Sequence, residues 1–237
     1  MTTSVERPRA DSLLAGLAAG WPIVAGVLPF GLIYGATART LGLSVWQSAG
    51  MSLAIFAGSS QLVFLDMWGQ GAGVLVLAVT GLVINLRMAM YSASVTPYLG
   101  PLGPLEAVVA SYLLTDESYG LSMGHFLSRR QQPLSRLYFF LGAGLPTWLG
   151  WQLSCLAGYL AGALIPPDWP LEMAVPLVFL ALLVPMLARG PKTTAALAAM
   201  VAAVAGAKLP LNSGLLLAVF SGVVAGMVHS NYKRRTR

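Results

Sequence analysis

The chain has 237 residues, 57% of them apolar and only 9% charged, with 14 Lys and Arg against 8 Asp and Glu and a mean hydropathy of +0.74. Soluble domains carry roughly 25% charged residues, so an ordinary soluble globule, a disordered chain and a nucleic-acid binder are excluded; the net charge of +6 comes from short basic clusters. Pore-type barrels alternate apolar and polar residues, whereas this chain has continuous charge-free runs, which leaves an all-α, polytopic transmembrane bundle in a lipid bilayer, one integral membrane domain over residues 1–237.

A span needs roughly 20 apolar residues, and eight are predicted: residues 13–38, 45–68, 72–95, 105–127, 137–164, 171–187, 193–207 and 213–229. A polar segment, residues 1–12, precedes them and a basic tail, residues 230–237, follows. The first run is too long and too often broken by Gly and Pro for a cleaved leader, so it reads as a retained span. The seventh is short, a half-helix or re-entrant piece. With the N-terminus in the cytoplasm, the inner segments hold eleven basic residues: Arg7, Arg9, Arg129, Arg130, Arg136, Arg189, Lys192, Lys233, Arg234, Arg235 and Arg237. The outer loops hold two, Arg39 and Lys208. Basic residues accumulate on the cytoplasmic side, so eight spans with both termini cytoplasmic are expected. Ala25-Gly26-Val27-Leu28-Pro29 is echoed by Ala143-Gly144-Leu145-Pro146, a weak internal repeat that would pair spans one to four with five to eight.

Polar groups at membrane depth are costly and mark pathways. In the first span, Pro29-Phe30-Gly31 reads either as a broken helix exposing backbone dipoles to a substrate or as a proline kink packed through small residues. In the second, Gly58-Ser59-Ser60-Gln61 places three polar side chains in a row, for substrate contact or as glue between helices. In the third, Arg87 cannot shed its charge. It either snorkels outward or finds an acid inside; Tyr91, one turn on, shares its face, and Asn85 points elsewhere. In the fourth, Asp116 and Glu117 are adjacent acids, and Tyr112, Asp116 and Tyr119 line one face. A carboxyl balanced between burial and a nearby guanidinium can exchange a proton; a purely structural Asp116–Arg87 ion pair is the alternative. Cys155, the single cysteine, reads as a small buried hydrophobe. No metal-ligand cluster, nucleotide-binding loop or nucleophile elbow is present, so no metal or cofactor is expected.

Pro29-Phe30-Gly31, Ala57-Gly58-Ser59-Ser60-Gln61, Asn85-Leu86-Arg87 with Tyr91-Ser92, and Leu114-Thr115-Asp116-Glu117-Ser118-Tyr119, in this order and spacing, resemble the AzlC family of branched-chain amino acid exporters. The resemblance is densest over residues 13–127. It implies a secondary transporter of a bacterial cytoplasmic (inner) membrane that exports Leu, Ile and Val, with Met as a further substrate, and that works with a small AzlD-type membrane subunit. On this reading Pro29, Phe30, Gly31, Gly58, Ser59, Ser60, Gln61, Asn85 and Tyr91 bind substrate, and Arg87, Asp116, Glu117 and Tyr119 form the ion pair and proton-coupling group. The rival readings are a permease subunit of another small-solute system and an intramembrane enzyme. The second is disfavoured because the histidines sit at span ends and both central acids share one span.

Overall fold

The computed structural model describes residues 9–128, 132–164, 180, 190–206 and 213–235. The described residues contain no strand. Their helices are α1 (Arg9–Thr40), α2 (Val45–Ala54), α3 (Gly58–Gly69), α4 (Val74–Leu99), α5 (Pro104–Tyr112), α6 (Asp116–Ser128), α7 (Pro133–Gly162), α8 (Pro191–Gly206) and α9 (Ser213–Arg235). Two of these segments, Ala10–Thr40 and Val74–Leu99, are each long and apolar enough to cross a membrane. The chain forms two compact units, one of Met1–Leu65 with Gly81–Leu171, the other of Asp66–Thr80 with Glu172–Arg237.

The spine of the first unit is α1 against α7. Gly16 faces the Phe139 carbonyl, Gly20 the Ala143 carbonyl, Gly35 the backbone of Cys155 and Tyr159, and Gly158 the backbone of Leu32. Both numberings rise together, so the helices run parallel. Without Cβ atoms the two backbones touch, which is how helices associate where burial from water supplies no drive. Pro22 and Pro29 lie inside α1, which continues through both. The broken first helix expected at Pro29 is therefore not found: Pro29 lies on the exposed side, while Gly31 is packed against Ser154. The small-residue packing along α7 holds the helix through the missing hydrogen bond.

The breaks lie elsewhere. The predicted helix 45–68 is two helices separated by residues 55–57, and the predicted helix 105–127 is two separated by residues 113–115. Let the near end of this unit be where α1 begins and the far end where it finishes. α2 starts at the far end, where the Tyr159 hydroxyl donates to the Leu43 carbonyl (2.8 Å). It descends along α7, with Trp151 Nε1 donating to Ser52 Oγ at 3.0 Å. α3 restarts beneath the Trp151 ring, which covers Gly58 closely enough to exclude a Cβ. Ser59 then meets Arg87 and Ser60 meets Asn85, an order that runs against α4, so α3 turns back toward the far end.

α5 and α6 repeat this from the opposite end. α4 finishes at the near end, where the Tyr98 carbonyl accepts from Arg136 (3.4 Å) and Gly100, at φ 73°, turns the chain beside Pro133. α5 leaves from there. α6 returns there, with the Tyr98 and Phe126 rings 5.9 Å apart and His125 stacked on Phe139 at 3.7 Å. Between them Leu113 abuts Gly144, farther along α7. None of the four short helices exceeds 13 residues, about 20 Å, against a hydrocarbon layer of about 30 Å. Each pair is a hairpin that enters from one end and leaves by the same end. The order is α1 then a far-end hairpin, α4 then a near-end hairpin. α1–α3 and α4–α6 thus share the order of a long helix and then a hairpin, entered from opposite ends; the expected pairing of spans one to four with five to eight includes residues 171–187, which lie outside the described residues except for Leu180. The echoed glycines differ in setting, Gly144 meeting Leu113 and Gly26 meeting nothing.

In the second unit α8 and α9 form an antiparallel pair. Gly206 meets Gly214, Gly222 packs on Ala195 and Ala199, and Thr194 Oγ1 lies 2.7 Å from His229 Nδ1. With 16 residues, about 24 Å, α8 is as short as the sequence suggests. The predicted sixth span, 171–187, lies outside the described residues except for Leu180, as do Arg129, Arg130 and Lys208.

Candidate functional site

The tips of the two hairpins meet halfway along α4. There Arg87 Nη1 lies 2.8 Å from Asp116 Oδ2, at the start of α6, and its other terminal nitrogen donates to Ser59 Oγ, at the start of α3. A guanidinium holds donors in a rigid fork, so one side chain joins both tips. The second carboxylate oxygen of Asp116 accepts from the Tyr91 hydroxyl at 2.7 Å. Tyr91 stacks on Tyr119 with centroids 4.3 Å apart, and the Tyr119 hydroxyl lies 3.0 Å from Ser94 Oγ. Arg87, Tyr91 and Ser94 follow i, i+4, i+7 and make one face of α4.

Asn85 belongs to the same contact. Its Oδ1 accepts from Ser60 Oγ at 2.9 Å. Asn85 and Arg87 leave α4 in different directions, but Ser59 and Ser60 diverge equally on α3. Gln61 is 1% exposed and seals the first break: with its amide oriented by its neighbours, it donates to the Ile55 carbonyl (3.0 Å) and accepts from the Ser52 N–H (3.3 Å).

The two tips are closed differently. At α6, Thr115 Oγ1 accepts from the Ser118 N–H (3.3 Å), while Ser118 Oγ accepts from the Thr115 N–H (2.9 Å) and donates to the Leu113 carbonyl (2.7 Å). This reciprocal cap satisfies groups that a helix start leaves bare. At α3 the preceding residue is Ala57, which has no side-chain acceptor. Among the described residues the N–H groups of Gly58, Ser59 and Ser60 take none, while Gln61 N–H bonds the Ala57 carbonyl at 3.0 Å. Arg87 Nε is likewise buried without a partner among the described residues. An uncapped helix start carrying spare donors beside a guanidinium is a seat for an anion. Beside it stand Asp116, whose side chain is 41% exposed, and Glu117, partly exposed and unpaired among the described residues.

Of the residues expected from sequence, Ser59, Ser60, Gln61, Asn85, Arg87, Tyr91, Asp116 and Tyr119 come together here, with Gly58 and Glu117 adjoining. Pro29, Phe30 and Gly31 do not. No hydrogen bond or ring contact joins them to the cluster among the described residues, because α1 turns Gly31 toward α7. Tyr112 does not share a helix face with Asp116, since the break at 113–115 intervenes; its hydroxyl instead donates to the Leu53 carbonyl (2.7 Å). The wall behind both tips is a contribution of α7 beyond those expectations. Trp148 Nε1 donates to the Tyr112 hydroxyl (2.9 Å), and Gln152 bonds Ser52 through Oε1 (2.9 Å) and Nε2 (3.2 Å). Gln152, an amide in mid-run, carries the same sequence signal as Gln61.

The family profile described as "AzlC protein" matches residues 22–165, which include every residue of this cluster. An uncharacterized membrane protein of Archaeoglobus fulgidus is 30% identical over 212 residues, 87% of this chain and 90% of that protein. The inner membrane protein YgaZ of Escherichia coli is 24% identical over 230 residues, 94% of this chain and 91% of that protein. No solved structure matches significantly. With the family profile covering more than half of its length and its relatives aligned nearly end to end, the chain belongs to the AzlC family of membrane proteins.

Proposed function

We propose that the chain is a secondary transporter that exports Leu, Ile and Val, with Met as a further substrate, from the cytoplasm across a bacterial inner membrane. It is driven by proton entry and works beside a small AzlD-type membrane subunit. Family membership supports a transport role over an enzymatic one, and similarity to YgaZ, an inner membrane protein, supports the inner membrane. The observation that carries the reading is Arg87 holding Ser59 of one hairpin and Asp116 of the other at mid-helix. A zwitterion matches that junction. Its carboxylate accepts from Arg87 Nε and the amides of residues 58–60, and its ammonium donates to Asp116 and Glu117. The Phe56 and Tyr112 rings, 6.2 Å apart, flank the tips and suit an apolar side chain. While substrate is bound its ammonium occupies the two carboxylates; as it leaves to the outside, Asp116 or Glu117 takes up a proton from the outer side and releases it inward as the site resets.

In the membrane, α1, α4 and α7 cross, and both hairpins are re-entrant. The near end faces the cytoplasm, since α1 begins there at Arg9 and α7 carries Arg136 there, while Arg39 lies at the far end. Single cysteines at Gln70 and Gly103 in a Cys155→Ser background test this with an impermeant thiol reagent. Gln70→Cys is expected to label from outside and Gly103→Cys from the cytoplasm; eight plain crossings predict the reverse for both.

The functional test is efflux of labelled leucine from proteoliposomes under an imposed proton gradient. An Asp116→Asn, Glu117→Gln double variant is expected to lose gradient-driven efflux. Unchanged gradient-driven efflux would remove these acids from coupling, and no efflux from the unaltered chain, with or without the small subunit, would overturn the export reading.

A further inference from the structure

The two hairpins touch each other at one more point, away from the charges. Tyr112 closes α5 at the near-end tip, and its hydroxyl donates to the Leu53 carbonyl, in the last turn of α2 at the far-end tip. The same hydroxyl accepts from Trp148 Nε1 of α7. Leu53 lies in the final turn of α2, whose carbonyls have no partner within the helix. Among the described residues the Leu53 carbonyl accepts no other hydrogen bond from outside its helix. The ring is held separately, beside Phe56 at 6.2 Å.

We propose that Tyr112 is the positioning residue that latches the two tips over the substrate. The far-end hairpin α2–α3 closes the site from outside, the near-end hairpin α5–α6 closes it from the cytoplasm, and the Tyr112 hydroxyl holds the closed state of both. Each hairpin reaches the site from one end only, so either can withdraw without disturbing the other's approach. Trp148 keeps the hydroxyl aimed at Leu53, so that withdrawal of α2–α3 breaks the Tyr112–Leu53 bond and leaves the Tyr112–Trp148 bond intact, whereas withdrawal of α5–α6 breaks both. This rests on the transport reading above for its consequence, but not for its geometry.

The test uses the full chain in lipid with Cys155 replaced by Ser, and spin labels on cysteines at Ile55 and Ser111, one on each hairpin close to its tip. Dipolar broadening reports whether the tips are together. Tyr112→Phe removes the hydroxyl and keeps the ring. It is expected to raise the population of separated tips about fivefold, the weight of one hydrogen bond, and to raise the KM for leucine efflux by a similar factor with Vmax per folded protein within about twofold. Trp148→Phe leaves the Tyr112–Leu53 bond and is expected to move both readouts in the same direction by less. Unchanged broadening in Tyr112→Phe overturns the latch. So does a loss confined to folded yield, with KM unmoved. If the unaltered chain moves no amino acid, the transport reading fails while the spin-label arm still decides the latch.

Discussion

Replacing Arg87 with Gln is expected to lower leucine efflux per folded protein by about a hundredfold or more. Arg87 makes charge-assisted contacts to Asp116 and Ser59. Each such bond is worth about 1.5–3 kcal/mol, and every factor of ten is about 1.4 kcal/mol. Arg87→Lys keeps the charge and is expected to recover little, because a point charge on a flexible stem cannot hold both tips as a planar fork does. The structural and transport roles separate in one further variant. Arg87→Gln alone strands the Asp116 carboxylate beside Tyr91, and an unpaired charge away from water lowers folded yield. Adding Asp116→Asn removes that charge and is expected to restore yield without restoring efflux. Efflux from the double variant near the unaltered rate would mean the pair is only structural.

The largest expected effect on stability lies in the spine. A Cβ on Gly35 would strike the backbone of Cys155 and Tyr159, and one on Gly158 the backbone of Leu32. Flexible side chains can yield to an added methyl, but two helix backbones in contact cannot. Overpacking costs about 1–3 kcal/mol where neighbours can adjust, so Gly35→Val and Gly158→Val are expected to cost about 3 kcal/mol or more and to prevent accumulation of folded protein. Gly26, with nothing near its absent side chain, is the control. Gly26→Ala is expected to be neutral or to stabilise by about 0.5–1 kcal/mol, since alanine suits a helix better. Cys155 is the only cysteine and is 5% exposed, so its reaction with a thiol-reactive dye on heating reports unfolding of this very interface.

The cluster itself is legible in the sequence because membrane depth makes it so. Ser59, Gln61, Arg87, Asp116 and Glu117 stand out against apolar runs where any polar group demands a partner. The course of the chain is not legible, for a physical reason specific to these loops. Whether residues 45–68 and 105–127 cross or turn back changes the side only of 69–73 and 96–104, and neither stretch holds a Lys or Arg. The charge asymmetry is therefore the same for plain crossings as for re-entrant hairpins at these two segments. The hydrophobic pattern is equally silent, since residues 45–68 stay apolar through the turn at 55–57. One local signal does exist. Thr115-Asp116-Glu117-Ser118 has a capping residue followed by acids, which outside a membrane would be read as the start of a helix. Pro29 carries the opposite lesson. It is a breaker by chemistry, yet α1 passes through it because α7 is packed against Gly20 before it and Gly31 after it.

The position of α7 in the chain sets a condition on how the protein is made. Trp151 covers the start of α3, and Gly144 and Trp148 back the end of α5, so the wall behind both tips is translated after them. While residues 45–128 leave the ribosome, the breaks at 55–57 and 113–115 have only their own caps, Gln61 and the Thr115–Ser118 pair, and no wall behind them, and hydrocarbon does not tolerate the backbone groups that stay bare. Neither hairpin can settle at depth as its own sequence emerges. Each must wait at the interface or in the insertion machinery until α7 arrives, and a nascent chain arrested before residue 162 should hold both hairpins outside the bilayer core.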